Sequence, residues 1–217
     1  MDDDRLIVKK DKEEGYCVKF VVVGDSKVGK TNLVNLYARH QNIKGYSQTI
    51  GRDVYQDINF KIGEDIFVLK IRDISGKNEF IPTLKRECEN ANFVLVVFDV
   101  TNKDSFLSLN HWINHCRSSG NERINFIIVG NKNDLITKRK VTEEEANSFA
   151  KNNGMKYYDI SAFNKEEVKK IFNEAFDSFH QEFLENNDPN AYRKTRIRSD
   201  YNIKLNTDKK KKSCCCF

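Results

Sequence analysis

Residues Gly24-Asp25-Ser26-Lys27-Val28-Gly29-Lys30-Thr31 satisfy the spacing G-x-x-x-x-G-K-[ST] at every fixed position. Upstream, Tyr16 to Val23 is apolar and rich in β-branched residues; downstream, Asn32 to Arg39 suits a helix. The glycines let successive backbone N–H groups close around phosphate oxygens at a helix N-terminus, whose dipole favours negative charge. Lys30 supplies a point charge for the outer phosphates, and the Thr31 hydroxyl is a magnesium ligand. The bland alternative, an ordinary glycine turn, is disfavoured by the strand–loop–helix context. Gly24 to Thr31 therefore point to a bound nucleoside di- or triphosphate.

Beyond this loop strand and helix patterns alternate. Val54 to Ile62 and Ile66 to Ile71 read as a hairpin joined at Gly63-Glu64-Asp65. Phe93 to Val100 and Ile124 to Val129 are short continuous apolar runs, as in strands covered on both faces. Between them Phe106, Leu109, Trp112, Ile113 and Cys116 recur at helical spacing. Thr142-Glu143-Glu144-Glu145 opens a further helix as a capping box, closed at Asn152-Asn153-Gly154. Met155 to Ile160 is the last strand, and Val168, Ile171, Phe172, Ala175, Phe176, Phe179 and Phe183 form one apolar stripe on a long final helix. The expected fold is α/β: a six-stranded, mostly parallel sheet with one antiparallel strand and five helices on both faces. Its ligand belongs at the carboxyl ends of the strands.

The formal net charge of +5 is unevenly placed. Asn187 to Phe217 carry nine Lys and Arg against three Asp, a surplus of six, so the remaining chain is close to neutral. A basic arm on a neutral body argues against a nucleic-acid-binding face on the domain. The arm also lacks the aromatic interleaving that RNA binding favours. Three organisational units follow: an acidic extension at 1–15, a nucleotide-binding domain at 16–186, and a basic, disordered tail at 187–217. Cys17, Cys88 and Cys116 are scattered singly, as reduced core or helix thiols. Met1-Asp2-Asp3-Asp4 lacks the apolar stretch of a secretory signal, and Asp2 excludes N-myristoylation.

Four further segments fall at strand ends. Thr49, in a polar loop, is placed to give a second hydroxyl to magnesium once a γ-phosphate is present. Asp73 opens Asp73-Ile74-Ser75-Gly76, a D-x-x-G pattern whose carboxylate holds the metal and whose Gly76 N–H reaches the γ-phosphate. In Asn131-Lys132-Asn133-Asp134 the Asp134 carboxylate can accept from guanine N1–H and the 2-amino group, a pair that adenine lacks. Ser161-Ala162 can offer a backbone N–H to guanine O6. Singly, Thr49, D-x-x-G and Ser-Ala read equally well as turns. Their joint order is what carries the reading.

On these residues the chain resembles the small GTPases of the Ras superfamily, and within them the Rab family, from Tyr16 to about Asn186. Gly24-Asp25-Ser26, Thr49-Ile50-Gly51 and adjacent C-terminal cysteines are Rab-like. The resemblance implies a switch that binds GTP or GDP with Mg2+, its two switch loops ordered by the γ-phosphate and released on hydrolysis. It implies an exchange factor, a GTPase-activating protein, a dissociation inhibitor and effectors as partners of a monomer. Lys30 and Gly76 would stabilise charge on the transferred phosphate, while Thr31, Thr49 and Asp73 arrange the metal.

The chain departs from the family at several places. Lys77 stands where the family carries the glutamine that orients attacking water, and an ammonium cannot accept a hydrogen bond from it. Slow, activator-dependent hydrolysis is the expectation; a near-permanently GTP-bound scaffold is the alternative. Lys77 also suits a solvent-facing pair with Glu79. Asn42 replaces the usual aromatic cover of the guanine edge, unless Ile43 or Tyr46 substitutes, which predicts faster nucleotide release. Val54, Arg72 and Glu87 occupy the places of the hydrophobic triad read by Rab effectors. Arg72 and Glu87 are suited either to pair with each other or to form a different recognition site. His111 and His115 lie i, i+4 with no third ligand, a poor zinc site. Lys27 is expected to face solvent.

The tail carries its own signal. Lys209 to Lys212 precede Ser213-Cys214-Cys215-Cys216-Phe217, which satisfies both C-a-a-X with a terminal Phe and the Rab arrangement of adjacent cysteines. Lipidation at Cys214, and at Cys215 if two chains are added, together with the lysines, would hold the protein on the anionic cytoplasmic face of an intracellular membrane, beside a cytosolic pool.

Overall fold

The computed structural model describes residues 14–40, 54–62, 64–186, 191–196 and 204–205. Six principal strands are formed: β1 (Glu14–Val23), β2 (Val54–Ile62), β3 (Asp65–Asp73), β4 (Phe93–Asp99), β5 (Asn125–Asn131) and β6 (Lys156–Ile160). They lie in the order β6-β5-β4-β1-β3-β2. β1 runs parallel to β3 and β4, and β4–β5 and β5–β6 are also parallel. Only the β2–β3 pairing among these six is antiparallel, with Val54 opposite Asp73 and Ile62 opposite Asp65.

The helices are α1 (Lys30–His40), α2 (Ile81–Cys88), α3 (Lys103–Leu107), α4 (Leu109–Arg117), α5 (Glu143–Asn152) and α6 (Lys165–Glu185). Alternation along β1 divides the core into two layers. Val18, Phe20 and Val22 pack with α1 and with the stripe of α6 that runs from Val168 to Phe183. Val21 and Val23 face the other side, against Leu84 of α2, Trp112 and Ile113 of α4, and Ala146 and Ala150 of α5. Cys17, Cys88 and Cys116 are buried thiols. Among the described residues no helix is long and apolar enough to cross a membrane.

Two features differ from expectation. The apolar stripe from Phe106 to Cys116 is two helices rather than one. Ser108 Oγ donates to the Asp104 carbonyl at 3.0 Å, a back-bond that disturbs a helix, and Ser108 caps α3 as α4 begins. The order of the chain also extends past Asn186. A short strand β7 (Lys194–Arg196) pairs antiparallel with Glu14 to Tyr16 of β1. β4 reaches only Phe20 to Val23, so the start of β1 has an open edge that β7 fills. Tyr192 fastens this return: its ring packs on Phe179 and Phe183 at 5.5 and 4.9 Å, and its hydroxyl donates to the Glu182 carbonyl at 3.0 Å. A two-residue strand β8 (Lys204–Leu205) lies beside β2.

This topology reverses direction at β1, with β3 on one side and β4 on the other. The crevice beyond the carboxyl end of β1 is the place such sheets offer a ligand.

Candidate functional site

The phosphate loop leaves β1 at Gly24 and enters α1 at Lys30. Lys30 is only 7% exposed, and its Nζ donates to the carbonyls of Gly24 and Asp25 at 2.8 Å each. Burial lowers its pKa, opposed by the nearby carboxylates of Asp73 and Asp25. The ammonium is thereby held beneath the loop, aimed at whatever anion the loop encloses. Trp112 of α4 braces the loop from outside, its indole N–H donating to Asp25 Oδ1 at 2.7 Å.

Close approach explains Gly76. A Cβ there would lie 2.4 Å from both the Asp25 carbonyl carbon and the Ser26 nitrogen, so only glycine lets this segment touch the loop. Ser26 Oγ donates across the junction to the Gly76 carbonyl at 3.2 Å. Lys77 follows, its side chain 55% exposed and its Nζ 4.0 Å from Glu79 Oε1.

Among the described residues two non-glycines hold positive φ, Lys27 at 69° and Lys132 at 70°. They are joined: Lys132 Nζ donates to the Lys27 carbonyl at 3.0 Å, so one strained backbone presents the acceptor that the other residue uses. Lys27 itself is exposed. Lys132 Nζ also donates to Asp99 Oδ2 at 2.5 Å. Burial pushes the Asp99 carboxyl up, but the bonds from Lys132 and Thr101 together outweigh it and hold the pKa below the ordinary value.

Asn131 ties three segments together. It is 1% exposed; its Nδ2 donates to the Val28 carbonyl at 2.7 Å and its Oδ1 accepts from the Ala162 N–H at 2.8 Å. The phosphate loop, the end of β5 and the turn after β6 thus share one side chain. Asn133 adds two bonds to β6, through its N–H to the Ile160 carbonyl at 3.1 Å and its Nδ2 to the Asp159 carbonyl at 3.1 Å. Arg139 grips both oxygens of Asp159 at 3.1 and 2.7 Å, fixing the return from this loop to α5. Asp134 is left exposed at the mouth, beside the turn carrying the buried Ser161 and Ala162.

Gly24 to Thr31, Asp73, Gly76, Lys77, Asn131, Lys132, Asp134, Ser161 and Ala162 are thus brought to one end of the sheet. Thr49, Asn42, Ile43, Tyr46 and Cys214 to Cys216 lie outside the described residues, and Val54 is described in its backbone alone. The pairing of Arg72 with Glu87 does not occur: Glu87 of α2 closes on Lys19 of β1 at 2.6 Å, while Arg72 donates to the Ile71 carbonyl at 3.1 Å. Lys19 lies under α2 and reaches Glu87 from the sheet itself. His111 and His115 meet only each other and Trp112 as rings. Asp99 and Trp112 are working residues that pattern reading passed over. The one signal for Asp99 is a carboxylate ending an otherwise apolar strand.

The Thr31 hydroxyl donates directly to Asp73 Oδ2, bringing together a hydroxyl and a carboxylate oxygen, the hard donors Mg2+ takes. The set is sparse: among the described residues no group of three His, Cys, Asp or Glu is placed to hold a metal. An ion at Thr31 and Asp73 would complete its sphere with phosphate oxygens and water, as Mg2+ does beside nucleotides.

Comparison with known proteins agrees with this geometry. A sequence model of the Ras family matches residues 19–181. Ras-related protein Rab-11C of Dictyostelium discoideum is 32% identical over 162 residues, covering 75% of this chain and 72% of that protein. Rab-2B of the same organism is 31% identical, covering 74% and 79%. RABD2b of Arabidopsis thaliana is 32% identical, again covering 74% and 79%. With its phosphate loop, the Thr31–Asp73 pair and the loops after β5 and β6 assembled at the switch point of the sheet, the chain belongs to the Ras family as a Rab-like small GTPase that binds GTP or GDP with Mg2+.

Proposed function

We propose that this GTPase acts in membrane traffic as a lipid-anchored switch whose own hydrolysis is slow and depends on an activating protein. One observation supports the slow step. Lys77 follows Gly76, which touches the phosphate loop, and its ammonium is only loosely held, 4.0 Å from Glu79. A group with donors alone cannot accept the proton of the attacking water, though it can meet negative charge on a phosphate. Within the site, Lys30 and the loop N–H groups hold the phosphates, Asp134 orients the base, with the Ala162 N–H engaged by Asn131, and Mg2+ neutralises phosphate charge when bound. Exchange factor, dissociation inhibitor and effectors belong to this reading, the effectors differing from those that need an apolar triad.

Single-turnover hydrolysis by the purified protein is expected below about 10⁻⁴ s⁻¹, with Lys77→Gln raising it toward the ~4 × 10⁻⁴ s⁻¹ of an ordinary family member. Hydrolysis by the unaltered protein at that ordinary rate would overturn the slow step. Addition of cell extract that accelerates the unaltered protein supports a cycling switch; no acceleration favours a lasting GTP-bound scaffold.

The anchor rests on Lys209 to Lys212 and Cys214 to Cys216. With serine at all three cysteines, fractionation is expected to find the protein in the soluble pool, since four lysines alone bind weakly at physiological salt. Retention on membranes would place the anchor elsewhere.

A further inference from the structure

At the end of the sheet opposite the phosphate loop lies a cleft of about 220 Å³, between the residues that lead into β4 and β5 and the returning segment 191–193. Its walls are braced. Asn92 exchanges two bonds with Lys19 of β1: its N–H donates to the Lys19 carbonyl at 2.9 Å, and its Oδ1 accepts from the Lys19 N–H at 2.8 Å. Asn121 Nδ2 donates to the Cys88 and Ala91 carbonyls at 3.0 and 2.9 Å, and its Oδ1 accepts from the Arg123 N–H at 3.1 Å. On the other wall the Arg193 carbonyl accepts from the Cys17 N–H at 2.7 Å. The backbone is therefore fixed while several side-chain donors stay unspent. Among the described residues the guanidinium groups of Arg123 and Arg193, both lining the cleft, have no carboxylate or carbonyl partner, and Asn92 Nδ2 has no acceptor. Glu89 and Glu182 line the same cleft, and among the described residues neither carboxylate has an ion-pair partner.

Four charged side chains of balanced sign select what enters. A guanidinium offers a planar fork that matches the oxygens of a phosphate. Two carboxylates at the same opening repel a densely charged anion but accept hydrogen bonds from hydroxyls, and the Asn92 amide donates to a hydroxyl oxygen. The volume lies below the roughly 300–1,000 Å³ of drug-sized sites and suits a headgroup-sized ligand. We propose that the cleft binds a polyol carrying a single phosphate, with Arg123 and Arg193 on the phosphate and Glu89, Glu182 and Asn92 on the hydroxyls. A free inositol phosphate and the head of phosphatidylinositol share this chemistry. The cleft lies at the end of the sheet where β7 and β8 pair, far from the nucleotide, so the site adds a second ligand to the molecule.

Calorimetric titration of the full-length, GDP-bound protein with inositol 1-phosphate is expected to show saturable binding, about tenfold or more tighter than that of inorganic phosphate. Arg123→Ala and Arg193→Ala each remove a charged donor and should weaken it about tenfold or more. Both residues are exposed, so the fold is spared, and GDP release at the other end of the sheet should be unchanged. Glu182→Gln should narrow the gap between inositol 1-phosphate and inorganic phosphate, because a hydroxyl loses its charged acceptor. Vesicles of phosphatidylcholine with phosphatidylinositol, or with phosphatidylserine at equal charge, identify the source. A preference for phosphatidylinositol that the arginine variants lose assigns the lipid headgroup; equal binding to both vesicles, with inositol 1-phosphate still bound, assigns the free compound. Failure of inositol 1-phosphate to saturate the protein overturns the proposal. So does equal affinity for inorganic phosphate, or undiminished binding by the arginine variants.

Discussion

Asn131→Ala is expected to lower the unfolding free energy by about 2–5 kcal/mol and to cost more than tenfold in GDP affinity. The side chain is 1% exposed and satisfies two buried backbone groups, the Val28 carbonyl and the Ala162 N–H. Truncation leaves both without a partner in the interior, and each such loss costs about 1–3 kcal/mol. It also unties the phosphate loop from the turn that carries Ser161 and Ala162, so the two ends of the nucleotide lose their fixed spacing. Gly29 belongs to the same knot: at φ 100°, a Cβ there would lie 2.2 Å from Asn131 Nδ2. Denaturant unfolding with and without GDP checks the prediction. Asn131→Asp separates its parts, since it keeps the acceptor for Ala162 but sets a carboxylate against the Val28 carbonyl. A midpoint for Asn131→Ala equal to that of the unaltered protein would show that the knot is dispensable.

Lys19→Met is expected to destabilise the protein by about 3–5 kcal/mol, while Lys19→Met combined with Glu87→Leu recovers most of that loss. The two side chains lie 2.6 Å apart and are only 11% and 13% exposed. A buried pair gains little over well-packed apolar residues, but removing one partner strands the other charge. Lys19 is in the central strand and Glu87 in the helix that follows the Asp73-Ile74-Ser75-Gly76 segment, so the pair nails α2 to the sheet. Equal stability of the single and double variants, measured by urea unfolding, would contradict this account.

The segments that meet at the carboxyl end of the sheet were legible in the sequence because each of them is local. The phosphate loop, the D-x-x-G segment, the Asn131 to Asp134 run and Ser161-Ala162 each declare themselves over two to eight residues, and the alternation of apolar runs places them at strand ends. What escaped depends on contacts between distant segments. Asp99 works through Lys132, Trp112 through Asp25, and Lys19 through Glu87; none of these separations leaves a periodic trace. Position alone suggested Glu87 with Arg72, but it could not weigh a lysine on the neighbouring strand β1, beneath α2. The break at Ser108 comes from one hydroxyl competing with the backbone, against a stripe whose spacing fits an unbroken helix. β7 is charged and three residues long, and it is a strand only because β1 begins before β4 reaches it.

The docking of β7 has a geometric consequence for attachment. The segment ends at Arg196 beside the first residues of β1, the opposite end of that strand from the phosphate loop. Counted from Asn186, the chain has 28 positions to Cys214; counted from Leu205, the end of the later strand β8 beside β2, it has 9. At about 3.5 Å per residue the longest possible tether falls from roughly 100 Å to roughly 30 Å. Any surface that grips the C-terminus is therefore met from the far end of the sheet, at a stand-off set by the pairing of β8 with β2 beyond the clasp at Tyr192. The nucleotide pocket then points outward, toward the solvent from which regulators must come.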